Sequence, residues 1–113
     1  MPDSAEPDRR QHSRVPVQLD VELETGSGDV VVGRSLDLSV GGIKMRASRS
    51  LHGGEVVYLV LGTEDRVLAA VGEVVGSSTL PGTDLVDLRV RFRDLSDRRR
   101  QGLDRIVHEA TRG

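Results

Sequence analysis

Between Val17 and Glu24 the chain alternates apolar and polar without a break, Val17, Leu19, Val21 and Leu23 against Gln18, Asp20, Glu22 and Glu24. A repeat of two sends successive side chains to opposite faces of an extended strand, whereas a helix would scatter these residues around its circumference. The stretch is a half-buried strand, and the β body it opens is expected to cover residues 15–93. Thr25-Gly26-Ser27-Gly28 has the composition of a turn, and residues 29–38 read as the returning arm of a hairpin. Ser39 to Gly42 forces a reversal, after which Ile43, Met45 and Ala47 alternate with Lys44 and Arg46. His52-Gly53-Gly54 breaks the chain before a continuous apolar run at residues 56–61. Residues 66–75 make a fifth strand, with Gly72 expected as a bulge or bend where the sheet curls. Beyond a Pro-Gly loop at residues 80–84, residues 85–92 make a sixth, in which Leu88, Val90 and Phe92 face one way and Arg89, Arg91 and Arg93 the other.

Six short strands joined by turns point to an antiparallel meander or barrel rather than βαβ units, and the small size favours closure into a six-stranded antiparallel β-barrel. The period then changes. Leu103, Ile106, Val107 and Ala110 fall at i, i+3, i+4 and i+7, one stripe of a C-terminal α-helix expected over residues 95–111. Ser96 or Asp94 is placed to cap it, and Gly102 weakens it by about 1 kcal/mol relative to alanine. The helix has one apolar face, which the open end or flank of the barrel is expected to cover.

Composition narrows the chemistry mainly by exclusion. At 113 residues the chain makes one domain, with residues 1–8 expected as a disordered tail and residues 1–14 mobile until a ligand binds. No run of about eighteen apolar residues exists, so no membrane insertion is expected, and the start MPDSAEPD lacks the regions of a signal peptide; the expected location is the cytoplasm. The chain has no cysteine, which excludes disulfides, thiolate metal sites and cysteine nucleophiles. A formal charge of -2 and only two aromatics, Tyr58 and Phe92, argue against DNA or RNA as partner. His12, His52 and His108 share no metal-ligand spacing, Ser39 sits in no G-x-S-x-G elbow, and there is no phosphate loop of the GxxxxGK[ST] type. The chain is therefore expected not to be an enzyme, to carry no metal or cofactor, and to be a monomer.

Two motifs are not needed to build a small β domain. The first is RRQHSR at residues 9–14, with Arg9, Arg10 and Arg14; the second is DLSVGG at residues 37–42, with Asp37, Ser39, Gly41 and Gly42. Arginine's planar fork grips guanine O6 and N7, stacks on the base or clamps phosphate, and a carboxylate accepts the guanine N1 and N2 protons. If Leu36, Leu38 and Val40 point inward, Asp37, Ser39 and Gly41 share the outer face, with Asp37 and Ser39 about 7 Å apart. Taken alone, each motif has a plainer reading: a solvated basic tail, and a serine or aspartate turn whose polar groups satisfy local backbone while its glycines take positive φ.

The order and spacing of the two, RxxxR followed by DxSxGG, resembles the PilZ domain family, whose members bind the bacterial second messenger cyclic di-GMP. The resemblance implies that Arg10 and Arg14 are the RxxxR pair, that Asp37, Ser39 and Gly42 are the D/NxSxxG positions, and that Arg9 favours an intercalated pair of ligands over one. Arg10 and Arg14 lie up to about 14 Å apart in an extended chain, enough to straddle a dinucleotide. It further implies a cyclic di-GMP receptor acting on an unknown downstream protein, in settings such as motility and biofilm formation. The alternative is a ligand-independent adaptor of the same fold that acts by protein–protein contact in motility. One position departs from the family: Arg89 stands where a glycine is common before the aromatic of the last strand, and it either crowds the site or adds a guanidinium to it.

Overall fold

The computed structural model describes residues 16, 18–62, 66–93 and 95–112, with no side chain described beyond 109. Among the described residues six strands, β1 (Asp20–Thr25), β2 (Val30–Leu38), β3 (Gly42–Ala47), β4 (Val56–Gly62), β5 (Val67–Thr79) and β6 (Val86–Arg93), precede one helix, α1 (Asp97–Arg112). All pairings are antiparallel, and the strands close into a barrel in the order β1-β2-β3-β6-β5-β4, with β4 returning to β1. Closure was expected; the order is not that of a simple meander. The chain must cross from β3 to β4 through residues 48–55, and backbone bonds between Gly54 and Val74 and between Glu55 and Val74 pin that crossing to β5.

Alternation fills the interior. Val21 and Leu23 of β1, Ile43 and Met45 of β3, Leu59 and Leu61 of β4, and Leu88 and Val90 of β6 are buried in one core. The continuous apolar run of β4 resolves into the same period two: Val57, Leu59 and Leu61 point inward, while Tyr58 and Val60 stay 54% and 41% exposed. Register sets these across the glutamates of β1 from the valines of β2, since Glu24 pairs with both Val30 and Tyr58, and Glu22 with both Val32 and Val60. The outer face of β2, β1 and β4 is thus valine and tyrosine around two glutamates.

The described part of β1 starts at Asp20, later than the alternation suggested; Val15 and Val17 lie outside the described residues, as do residues 1–8 and the arginine motif at 9–14. Leu19 is held in place all the same. Its N–H donates to the Ser35 Oγ at 2.7 Å and its carbonyl accepts from the Ser35 N–H at 3.0 Å. Ser35, fully buried, spends its hydroxyl on this bond, which is what a polar group in a core must do.

Two register shifts bend the barrel. In β5 the shift falls between Val74 and Gly76, not at Gly72, and the strand runs on to Thr79 rather than stopping at Val75. Gly72 instead stays in register between Val57 and Phe92, and its missing side chain makes room: a Cβ there would lie 2.5 Å from Val90 Cγ1 and 3.0 Å from Leu59 Cδ1. The second shift lies in β2 between Ser35 and Asp37, with Leu36 as the extra residue. An inserted residue breaks the alternation, so Leu36 is only half-buried while Leu38 is completely buried.

α1 begins two residues later than its periodicity suggested. Of the two candidate caps Ser96 does the work, its Oγ accepting the Arg99 N–H at 3.2 Å; Asp94 lies outside the described residues. Leu103 and Ile106 are buried, and Gly102, a liability by propensity, faces Leu68 Cδ1 at 3.0 Å from where its Cβ would be. Close packing of α1 on β5 explains that glycine.

On the outside, β3 and β6 are clamped by Arg46, whose Nε and Nη2 donate to Asp87 Oδ1 and Oδ2 at 2.8 and 3.2 Å. The Arg46 hydrogen bond holds the Asp87 carboxyl below its ordinary value, against a smaller opposing push from burial, with the charges of Arg46 and Lys44 adding to the lowering.

Two outcomes are expected from this architecture. Gly72→Ala overpacks the core and lowers unfolding free energy by about 1–3 kcal/mol, read from urea denaturation. Because folding depresses the Asp87 pKa, its stabilisation is present above the usual aspartate range and is lost as pH falls through the folded value. Arg46 is well exposed, so Asp87→Asn lowers stability at neutral pH by no more than about 1 kcal/mol, and the gap to wild type narrows below about pH 4 in thermal melts.

Candidate functional site

The DLSVGG segment closes β2 onto β3. The Ser39 N–H donates to the Gly42 carbonyl at 2.9 Å, and the Ser39 Oγ accepts from the N–H groups of Gly41 and Gly42 at 3.1 and 3.2 Å. Next to it the Phe92 N–H donates to the Gly41 carbonyl at 3.0 Å, tying the turn to β6. The hydroxyl is therefore a structural element of the turn. Ser39 is only 1% exposed, which corrects the expectation that it shares the outer face with Asp37. β2 ends at Leu38, so Ser39 already belongs to the turn, where strand alternation no longer sets its direction and its hydroxyl folds in to accept the Gly41 and Gly42 N–H groups.

Gly42 also differs from the turn expectation. Its φ is not positive; its requirement is space, since a Cβ would collide with the Val90 carbonyl oxygen across the β3–β6 ladder. Only glycine lets the two backbones approach so closely here.

Asp37 is half-buried and faces Lys44 in the β2–β3 register. Lys44 in turn faces Arg89 of β6, and Arg89 faces Gly76 of β5, so Asp37, Lys44, Arg89 and Gly76 form one transverse row over four strands. With strands about 4.8 Å apart, Asp37 and Arg89 stand roughly 10 Å apart at their backbones. The question of whether Arg89 crowds the face or adds to it has a geometric answer: its guanidinium leans over the empty Cβ position of Gly76, 2.5 Å from Nη2. The glycine of β5 makes the room that the arginine of β6 needs.

Beside this row two outward arginines are engaged. Arg46 is taken by Asp87, and Arg91 Nη2 donates to Glu73 Oε1 at 3.1 Å. Arg9, Arg10 and Arg14 lie outside the described residues, so of the expected site residues the structure brings together Asp37, Ser39, Gly41 and Gly42. Lys44 and Arg89 as neighbours were missed from the sequence. The outward alternation of Lys44 with Arg46 and of Arg89 with Arg91 was visible, but only the register puts the first of each pair opposite one another. Among the described residues no group of three or more His, Asp or Glu could hold a metal ion, and no helix is long and apolar enough to cross a membrane.

Comparison with solved structures returns the same architecture at low identity. The PilZ domain of YcgR from Escherichia coli, solved with c-di-GMP, superposes with a TM-score of 0.77 at 17% identity over 92% of each chain. The inhibitor of motility MotI/DgrA from Bacillus subtilis gives 0.74 at 20% identity over 92% of this chain and 50% of its own, so this chain spans only half of that protein. The PilZ domain of CeSA from a cellulose synthesizing bacterium gives 0.71 at 20% identity, covering 88% of this chain and 98% of that one. No curated protein matches the sequence. The sequence pattern that defines PilZ domains, however, fits residues 8–109, which takes in the arginine motif, the whole barrel and most of α1; the chain belongs to the PilZ domain family.

Proposed function

We propose that this chain is a cytoplasmic cyclic di-GMP receptor, a binding protein and not an enzyme, that takes the dinucleotide on the outer face of β2, β3 and β6. The observation that carries the reading is the Asp37 row beside the serine-closed turn. A carboxylate suited to guanine N1 and N2 protons stands next to cations suited to phosphate, within the span of one dinucleotide. In this reading Ser39 and Gly42 act through the backbone they shape, Gly41 leaves that backbone approachable, and Arg9, Arg10 and Arg14 close over the ligand. Ordering of the arginine segment on the barrel is the message, and a partner protein reads it. Family membership and the c-di-GMP in the similar YcgR domain support the ligand.

A second reading, a ligand-independent adaptor in motility, is favoured by one observation: the outer face of β2, β1 and β4 leaves Val30, Val32, Tyr58 and Val60 exposed around Glu22 and Glu24. Apolar groups in such a cluster suit contact with another protein. The likeness to an inhibitor of motility points the same way.

Isothermal calorimetry of the purified chain with cyclic di-GMP separates the two readings, because only the first gives saturable heat. Arg14→Ala is expected to weaken binding about 5- to 150-fold with the fold intact, from the roughly 1–3 kcal/mol of a guanidinium contact, and Asp37→Ala to weaken it as well. Wild-type affinity in both variants removes the site assignment. Stoichiometry is the further outcome. Two stacked ligands present four phosphates and four guanines, more than one arginine pair satisfies, so wild type is expected to bind two per chain and Arg9→Leu to approach one.

A further inference from the structure

Lys44 and Arg89 are cross-strand neighbours of like charge, an arrangement that costs stability in a sheet. Among the described residues neither has an ion pair or a hydrogen bond, although the arginines around them do: Arg46 with Asp87, Arg91 with Glu73. The two cations line a depression of about 190 Å³ together with Ser78 and Asp87. Asp87 is the one carboxylate in it, and both its oxygens are already engaged by Arg46. The depression thus keeps a net positive charge and a hydroxyl donor.

The glycine at position 76 shows how the seat is built. The register shift between Val74 and Gly76 brings Gly76 opposite Arg89, and a side chain there would meet the guanidinium at 2.5–3.3 Å. The arginine lies across β5 beside the lysine.

We infer that Lys44 and Arg89 form a phosphate seat on the barrel wall, holding one phosphodiester of the dinucleotide whose guanine is read at Asp37. The inference rests on the receptor reading above and adds to it a part of the site carried by the rigid barrel instead of the arginine segment. An anionic oxygen between the two cations relieves their repulsion and accepts charge-assisted hydrogen bonds from both. The departure at position 89 is then a chain-specific contribution to ligand binding. In the free barrel Asp37 faces Lys44 from β2 and Asp87 lies beside it, so these carboxylates offset part of the positive charge and a bound anion offsets the rest.

The test is calorimetry with cyclic di-GMP on the full chain at two salt concentrations, with Lys44→Gln, Arg89→Gln and the double variant, and thermal melts of each without ligand. Each single variant is expected to bind about tenfold more weakly and with less dependence on salt. The double variant is expected to lose less than the product of the two, because both groups hold the same phosphate. The ligand-free melting temperature of Arg89→Gln should stay level or rise as the repulsion is removed, which a structural role for this side chain would not allow. Wild-type affinity in Arg89→Gln overturns the seat and leaves the receptor reading standing. So does strict multiplicativity in the double variant, or a fall in the ligand-free melting temperature of Arg89→Gln that accompanies the loss. If wild type itself gives no binding heat, the receptor reading falls and the seat falls with it.

Discussion

The approach of β3 to β6 at Gly42 is the constraint on which the rest of this barrel depends. Gly42 comes so near the Val90 carbonyl that no Cβ fits, and the same ladder carries the Arg46–Asp87 clamp, the Lys44–Arg89 neighbours and the bond from Phe92 to the turn. Sequence-distant halves of the chain meet along this seam, β1-β2-β3 on one side and β6-β5-β4 on the other. The turn at 39–42 lies at its end, so the geometry that closes the barrel also fixes the backbone of the candidate site. A single substitution at Gly42 would act on folding and on the site together.

Much of this was legible in the sequence because the barrel obeys period two almost everywhere. Leu88, Val90 and Phe92 against Arg89, Arg91 and Arg93 is as clear in the chain as in the fold. The stripe of Leu103, Ile106 and Val107 likewise announces α1. What escaped were the places where one residue is inserted. Leu36 looks like any other leucine in an alternating strand, and the bulge it makes depends on how β2 must bend to pair with β3, which no local pattern records. Gly72 misled for the opposite reason: glycine in a strand signals either a bulge or a close approach, and the neighbours that decide, Val90 and Leu59, belong to other strands.

The site follows the same division. Composition and spacing marked Asp37 and the glycines, but the plainer reading of Ser39, a hydroxyl that satisfies its own turn, describes its bonds correctly. That reading does not compete with a ligand site; it explains how one is held still. Outer-face charge is divided between two uses. Arg46 and Arg91 stitch neighbouring strands through Asp87 and Glu73, while Lys44 stands between Asp37 of β2 and Arg89 of β6.

Closure has a consequence for how such a domain converses with other proteins. Every strand has two strand neighbours, so the sheet has no free edge and its ladder hydrogen bonds are already made. A partner cannot join by adding a strand, the mode that open sheets offer to extended peptides. Nor can the ring of strands widen without breaking backbone bonds around its circumference. The barrel therefore behaves as an anvil: whatever is read from it must be side-chain surface, or chain laid down upon it from outside.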